Sequence, residues 1–259
     1  VDPGPLRDAL TLVAGLATGA LSAAFGVGGA VISTPAIRAL GASATVAIGT
    51  TLPSILPSAA IGTAHYVREG LVDWRVVRWA VPAGVAGSVL GSLASHVVPG
   101  NGHVLMLLTA GLLAFTAARM TREPAAPDAG DTAAPPPAAA VIAAIGLAAG
   151  LLSGLLGVGG GIVMVPGFAE LARVPLRKTI ATSLVCVGCL AIPGTITHAL
   201  LDDIDWRFAA LLTIAVIPGA RLGATATLRS GDRRLRLAVA SFLGVIAVVY
   251  AAGELIALR

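Results

Sequence analysis

Long apolar runs separated by short polar turns dominate this chain. They lie around residues 43–67, 76–97, 102–118, 178–200, 208–228 and 236–257, near the roughly 20 residues a bilayer-spanning helix needs. Two further apolar runs are broken by clustered glycines. Residues 15–35 read GLATGALSAAFGVGGAVISTP and residues 146–166 read GLAAGLLSGLLGVGGGIVMVP, with 11 of 21 aligned positions identical. The run from Ala9 to Phe25 has the look of a signal peptide, but its near-copy deep in the chain argues that both are permanent structure.

The pattern predicts an all-α integral membrane protein built from two homologous repeats. Repeat one covers 8–120 and repeat two 138–257, joined by a polar, proline-rich linker at 121–137 (TREPAAPDAGDTAAPPP). Beyond the glycine segments the halves stay in register. Thr50-Thr51-Leu52 matches Thr182-Ser183-Leu184, Gly62-Thr63 matches Gly194-Thr195, and Asp73-Trp74-Arg75 matches Asp205-Trp206-Arg207. Each repeat is expected to hold three spanning helices plus one glycine-broken helix pair. That pair is either a kinked span or a re-entrant hairpin.

Composition agrees with a bilayer as solvent. Hydrophobic residues make up 56% and charged residues 12%, with mean hydropathy +0.91, whereas soluble domains run near a quarter charged. The net charge of +4 sits in short loops and reads as an orientation signal, not a nucleic-acid footprint. If each glycine segment crosses the membrane, the loop Lys and Arg divide evenly and specify no orientation. If each is re-entrant, one side carries Arg7, Arg38, Arg207 and Arg259. The other then carries Arg68, Arg75, Arg78, Arg119, Arg122, Arg173, Arg177, Lys178, Arg229, Arg233, Arg234 and Arg236. That asymmetry is what a cytoplasmic, positive side should show. It favours inverted repeats in the cell inner membrane, with both termini outside and the linker cytoplasmic.

Interrupted helices expose backbone groups at membrane depth, which is tolerated only where they line a cavity. When they recur at matching places in two repeats, they point to a transporter's binding site. The candidate substrate-binding residues are therefore Gly26, Val27, Gly28 and Gly29, with Gly157, Val158, Gly159, Gly160 and Gly161. Helix starts just after each break would offer unpartnered amides and partial positive charge to an anion. Gly15, Gly19, Gly146 and Gly150 read as close helix packing. Thr50, Thr51, Thr182 and Ser183 are candidate hydroxyl donors, or back-bonded helix residues. Arg221 is the one cation well inside an apolar run, fit either for a counter-ion or for snorkelling. His65, Tyr66 and His198, near span ends, are candidate gating residues; Trp74 and Trp206 read as interfacial anchors.

These residues carry a resemblance. The doubled GxxSGxxGVGGG-like signature, the Thr-Ser-Leu stretch, the Gly-Thr segment leading to His or Tyr, and the Asp-Trp-Arg turn resemble the TauE/SafE family of membrane anion exporters. Repeat one departs from the signature at Ala30, where repeat two has Gly161. The resemblance implies an exporter of sulfite, sulfoacetate or another sulfonate; the paired half-helix N-termini suit alternating access around a midplane site.

The residues themselves add a direction. Acids are confined to loops, the linker and positions near span ends, so no carboxylate proton relay is expected. With the interior negative, outward movement of a monoanion gains about 2.3 kcal/mol per 100 mV, which favours export without a coupling ion. An anion channel or an importer of small oxyanions would share the same glycine site. An enzyme is not expected, since His65, His96, His103 and His198 lack ligand spacing or a paired carboxylate. No metal or cofactor is expected. Cys186 and Cys189 read as packing residues in a span. The expected partners are the small anion, the lipid bilayer and a second copy of the chain in a homodimer, with no nucleic acid.

Overall fold

A computed structural model describes residues 4–95, single positions between 107 and 118, residues 138–157 and residues 159–257. The linker 121–137, Val158, His96 and His103, and most of the predicted span at 102–118, lie outside the described residues. Among the described residues every regular element is helical. In chain order they are α1 (Pro5–Phe25), α2 (Ala30–Ala39), α3 (Ala44–Arg68), α4 (Trp74–Ser95), α5 (Ala139–Leu156), α6 (Gly161–Pro166, continued by a π-helical turn Gly167–Leu171), α7 (Leu176–Leu200), α8 (Trp206–Arg229) and α9 (Asp232–Ala257). Six of these are long and apolar enough to cross a membrane: α1, α3, α4, α7, α8 and α9.

Local chemistry sets the helix starts. Pro5 opens α1 at a position that needs no amide donor, with Asp8 in the first turn against the helix dipole. Ser43 caps α3 by accepting from the Val46 amide. The two Asp-Trp-Arg turns are both N-caps. Asp73 Oδ1 accepts from the Arg75 and Val76 amides at 3.0 and 3.3 Å, and Asp205 Oδ1 from Arg207 and Phe208 at 3.1 and 3.3 Å. Trp74 and Trp206 stand exposed immediately after these caps.

Glycine seams fix the packing. α1 lies on α8, and α5 lies on α4. A β-carbon at Gly19 would overlap the Val216 carbonyl, and one at Gly223 the Ala20 carbonyl. Across the second seam, β-carbons at Gly146, Gly150 and Gly154 would overlap the carbonyls of Ala80, Gly84 and Ser88. Lipid tails are as apolar as leucine, so helices in a bilayer associate by close dispersion contact, which small residues permit. Three further contacts follow the same exchange between halves: α3 packs on α8, α7 packs on α4, and α3 meets α7.

These contacts gather the loops into two ends. Ile37, Leu40, Ala42 and Ala47 cluster with Phe208 and Leu212, so the turn after α2 sits beside the start of α8. Asp8, in the first turn of α1, pairs with Arg207 at 2.6 Å and belongs to that end too. At the other end the start of α4 meets α7, where the Asp73 amide donates to Thr182 Oγ1 at 2.9 Å. Arg177 reaches from there to the carbonyls of Leu228 and Ser230.

Gly150→Ala and Gly223→Ala each insert a methyl group into a backbone-to-backbone contact, whereas a β-carbon at Gly231 meets open space. Overpacking costs about 1–3 kcal/mol, more than alanine's helix preference of about 1 kcal/mol restores. Thermal unfolding in detergent should therefore show both seam variants clearly destabilised. Gly231→Ala should stay within about 0.5 kcal/mol of the parent.

Candidate functional site

The two glycine breaks end α1 and α5 in the same way. Gly26 adopts φ +67° and donates its amide to the Ser22 carbonyl at 2.8 Å. Gly157 adopts φ +64° and donates to Ser153 at 2.9 Å. Left-handed backbone closes a helix this way, and glycine adopts it without a β-carbon penalty. Gly28, Gly159 and Gly160 are also left-handed, at φ +85°, +83° and +66°. The chain then folds back on itself. Gly29 lies against Thr18 and Ser22 of α1, Gly160 against Ala149 of α5, and Gly167 against Ile145.

A helix that stops inside an apolar bundle leaves carbonyls without intrahelical donors. Side chains from three other helices supply them at the end of α1. The Tyr66 hydroxyl donates to the Ala23 carbonyl at 2.6 Å, Thr227 Oγ1 to Ala24 at 2.7 Å, and the Ser183 hydroxyl to Gly26. At the end of α5, Thr34 Oγ1 donates to the Gly157 carbonyl at 3.3 Å and lies 3.1 Å from Thr51 Oγ1. Thr51 in turn donates to the Ile48 carbonyl at 3.0 Å.

The breaks meet each other. A β-carbon at Gly28 would stand 3.2 Å from the Gly159 Cα, and one at Gly159 would stand 3.3 Å from the Gly28 Cα. Gly161 is pressed against the backbone of Gly26 and Val27. Val27, Gly28, Gly29 and Ala30 are buried, as are Gly159, Gly160 and Gly161. α2 and α6 start from this junction. Their first amides have no intrahelical acceptor and carry the positive ends of the helix dipoles.

Of the other sequence candidates, Thr50, Thr51, Thr182 and Ser183 are all fully buried. Thr50 and Thr182 hold equivalent places in a crossed pair of tethers. Thr50 Oγ1 accepts from the Asp205 amide at 2.9 Å, as Thr182 Oγ1 does from Asp73. Accepting leaves each hydroxyl its proton. His198 is buried with Nδ1 3.0 Å from Asp203 Oδ2, and the half-buried His65 has Nδ1 3.1 Å from the Ile61 carbonyl. Arg221 is exposed on α8 and stands outside the buried junction. Sequence reasoning missed Thr34 and Thr227. Each is a hydroxyl in an apolar helix, which is the signal that could have drawn attention to it. Among the described residues, no group of three or more His, Cys, Asp or Glu side chains could hold a metal ion.

Comparison with known proteins places this geometry in context. The family described as Sulfite exporter TauE/SafE matches residues 11–250. The probable membrane transporter protein YunE of Bacillus subtilis is 26% identical over 235 residues, covering 83% of this chain and 85% of the relative. A probable membrane transporter protein of Xylella fastidiosa is 28% identical, covering 87% of each. The probable membrane transporter protein MamO of Paramagnetospirillum magneticum is 30% identical over 70% of this chain and 33% of its own length. No solved structure shows a significant match.

Tyr66→Phe and Thr227→Val each strip a donor from a buried carbonyl at the end of α1. An abandoned buried acceptor costs about 1–3 kcal/mol, so both variants should melt at lower temperature. Thr225 donates within its own helix on an exposed face, and Thr225→Val should change little by the same measurement.

Proposed function

The chain belongs to the TauE/SafE family and is a membrane transporter; from that premise we propose that it exports a small sulfur-containing oxyanion across the cell inner membrane. The substrate class is sulfite, sulfoacetate or another sulfonate. The observation that carries this reading is the meeting of Gly28 with Gly159, where both helix interruptions converge. An anion entering between them, beside the apolar side chains of Val187 and Ile55, would find the amides that open α2 and α6 and two positive dipole ends. The family description, sulfite exporter, supports the sulfur oxyanion and the outward direction.

The loop contacts support the inverted, re-entrant arrangement. Arg7 and Arg38 fall at the end of the bundle that holds Arg207, while Arg68, Arg75, Arg173, Arg177 and Arg229 fall at the other. This grouping supports the four-against-twelve division over the even one. α2 has 10 residues, about 15 Å of helix, half of a hydrocarbon core of about 30 Å. On this reading the glycine junction sits near mid-membrane, and the arginine-rich end is cytoplasmic.

The close contact of Gly28 with Gly159 supports an occluded carrier over an open pore. Alternating access then means parting the two breaks toward one face at a time. The crossed tethers, Thr50 to Asp205 and Thr182 to Asp73, lie at opposite ends and are suited to yield in turn. A neutral site also suits release, because dipole ends of roughly half a charge each hold a monoanion less firmly than a buried arginine would.

Two measurements test this reading. Gly28→Ala and Gly159→Ala impose a left-handed residue worth about 1–2 kcal/mol of strain and fill the approach to the amides. Sulfite or sulfoacetate flux in liposomes, compared per folded molecule, should fall to a small fraction of the parent, with Gly231→Ala unaffected. Wild-type flux in both variants would remove the junction from the transport path. For topology, single cysteines at Arg38 and Arg207 should react with an impermeant thiol reagent from outside intact cells, and cysteines at Arg75 and Arg177 only after lysis. Opposite labelling of Arg38 and Arg207 would sink the re-entrant arrangement.

A further inference from the structure

Away from the glycine junction, a cavity of about 420 Å³ lies between α1, α8 and α9. Its walls are apolar, with Leu21, Leu222, Ala226 and Ala238 among them, and its polar end is formed by Ser230 and Arg234. Leu222 is 64% exposed although it lies within a spanning segment, so the mouth of the cavity opens sideways into hydrocarbon. Ser230 and Arg234 straddle the short turn between α8 and α9, which puts the charged end at the membrane surface. The turn is basic, with Arg229, Arg233 and Arg234 around the single acid Asp232. Deeper in the cavity, Thr227 directs its hydroxyl to the backbone carbonyl of Ala24. An occupant must therefore be apolar along most of its length and anionic at one end.

We propose that this groove seats one anionic phospholipid of the surrounding bilayer, its acyl chain beside Leu21, Leu222 and Ala226 and its phosphate at Arg234. A lateral mouth in the hydrocarbon favours a lipid over a solute arriving from water. Basic residues at the membrane surface favour an acidic headgroup over a zwitterionic one. A site of this kind lies on the side of α1 turned to α8 and α9, and it does not depend on what the glycine junction carries.

Native mass spectrometry of the purified protein tests it, with phosphatidylglycerol and phosphatidylcholine of identical acyl chains supplied in turn. The parent should retain one phosphatidylglycerol in clear preference to phosphatidylcholine. Arg234→Gln should lower phosphatidylglycerol retention about fivefold, the factor expected for one basic residue at a membrane surface, and leave phosphatidylcholine unchanged. Ala238→Trp should fill the groove and reduce both, while Arg207→Gln, at the opposite end, should alter neither. Equal retention of the two lipids by the parent, or unchanged retention in Arg234→Gln, would overturn the proposal. So would a dimer that Ala238→Trp dissociates without loss of lipid, since the groove would then belong to a second copy. Should Ala238→Trp fail to give a monodisperse protein, Arg234→Gln decides the question alone.

Discussion

A backbone amide or carbonyl buried in an apolar bundle must find a partner, and this requirement governs the structure around both glycine breaks. An uninterrupted helix meets it internally. α1 and α5 do not, because each stops inside the protein at a left-handed glycine. The freed carbonyls of α1 are met by Tyr66 from α3, Thr227 from α8 and Ser183 from α7. Every one of these donors comes from a different helix. The end of α1 is therefore a point at which four helices are tied together by hydrogen bonds of fixed direction, in a solvent that offers no water as a substitute. Losing one such donor leaves a desolvated carbonyl, so the arrangement holds register far better than apolar contact does.

Glycine serves two unrelated purposes here. At Gly19, Gly150, Gly154 and Gly223 the backbone conformation is ordinary helix, and the missing β-carbon lets another backbone approach. At Gly26, Gly28, Gly157, Gly159 and Gly160 the left-handed conformation itself is the reason. The first kind builds the α1–α8 and α4–α5 seams, which stitch the two halves of the chain into one body. The second kind opens the helices at the place where the halves meet. Because each seam joins an element of one half to an element of the other, movement at the junction is mechanically linked to the long helices around it.

Much of this was legible in the sequence, and for physical reasons. Membrane character followed from hydropathy, and helix ends from the glycine clusters. The unequal distribution of arginine also divides the loops into two groupings, on which the proposed topology rests. The packing role read for Gly15, Gly19, Gly146 and Gly150 matches the seams. What a linear sequence could not reveal was the destination of each hydroxyl. Thr51 and Ser183 could be read as donors to an anion or as back-bonded helix residues; Thr51 bonds back to the Ile48 carbonyl, and Ser183 donates across to the Gly26 carbonyl. Arg221 is instructive in another way. Gly219 and Gly223 mark the inward face of α8, and at about 100° per residue Arg221 falls between them on the far side, where the structure leaves it exposed. The helical period already carried that information; the rarity of a charge in an apolar run drew attention away from it. Thr34 stands out as a hydroxyl in an apolar helix but has no counterpart in the second half, where Val165 holds the matching position.

The two-fold exchange of contacts places a constraint on how the proposed carrier can move. Thr50 joins the start of α3 to the cap of α8, and Thr182 joins the start of α7 to the cap of α4. Each of these caps already uses its aspartate side chain on its own helix, so the tether depends on the aspartate's backbone amide alone. A single neutral hydrogen bond contributes only about 0.5–1.5 kcal/mol net, little enough for substrate binding to break. The glycine seams cannot slide without steric overlap, because β-carbon-free backbones are already in contact. In the proposed cycle α1 with α8, and α5 with α4, therefore move as rigid pairs, and the α3–α7 contact between them is the place where motion is taken up. Opening one end breaks the tether there and keeps the other, which gives a carrier two states of similar energy from two similar, weak and spatially separated interactions.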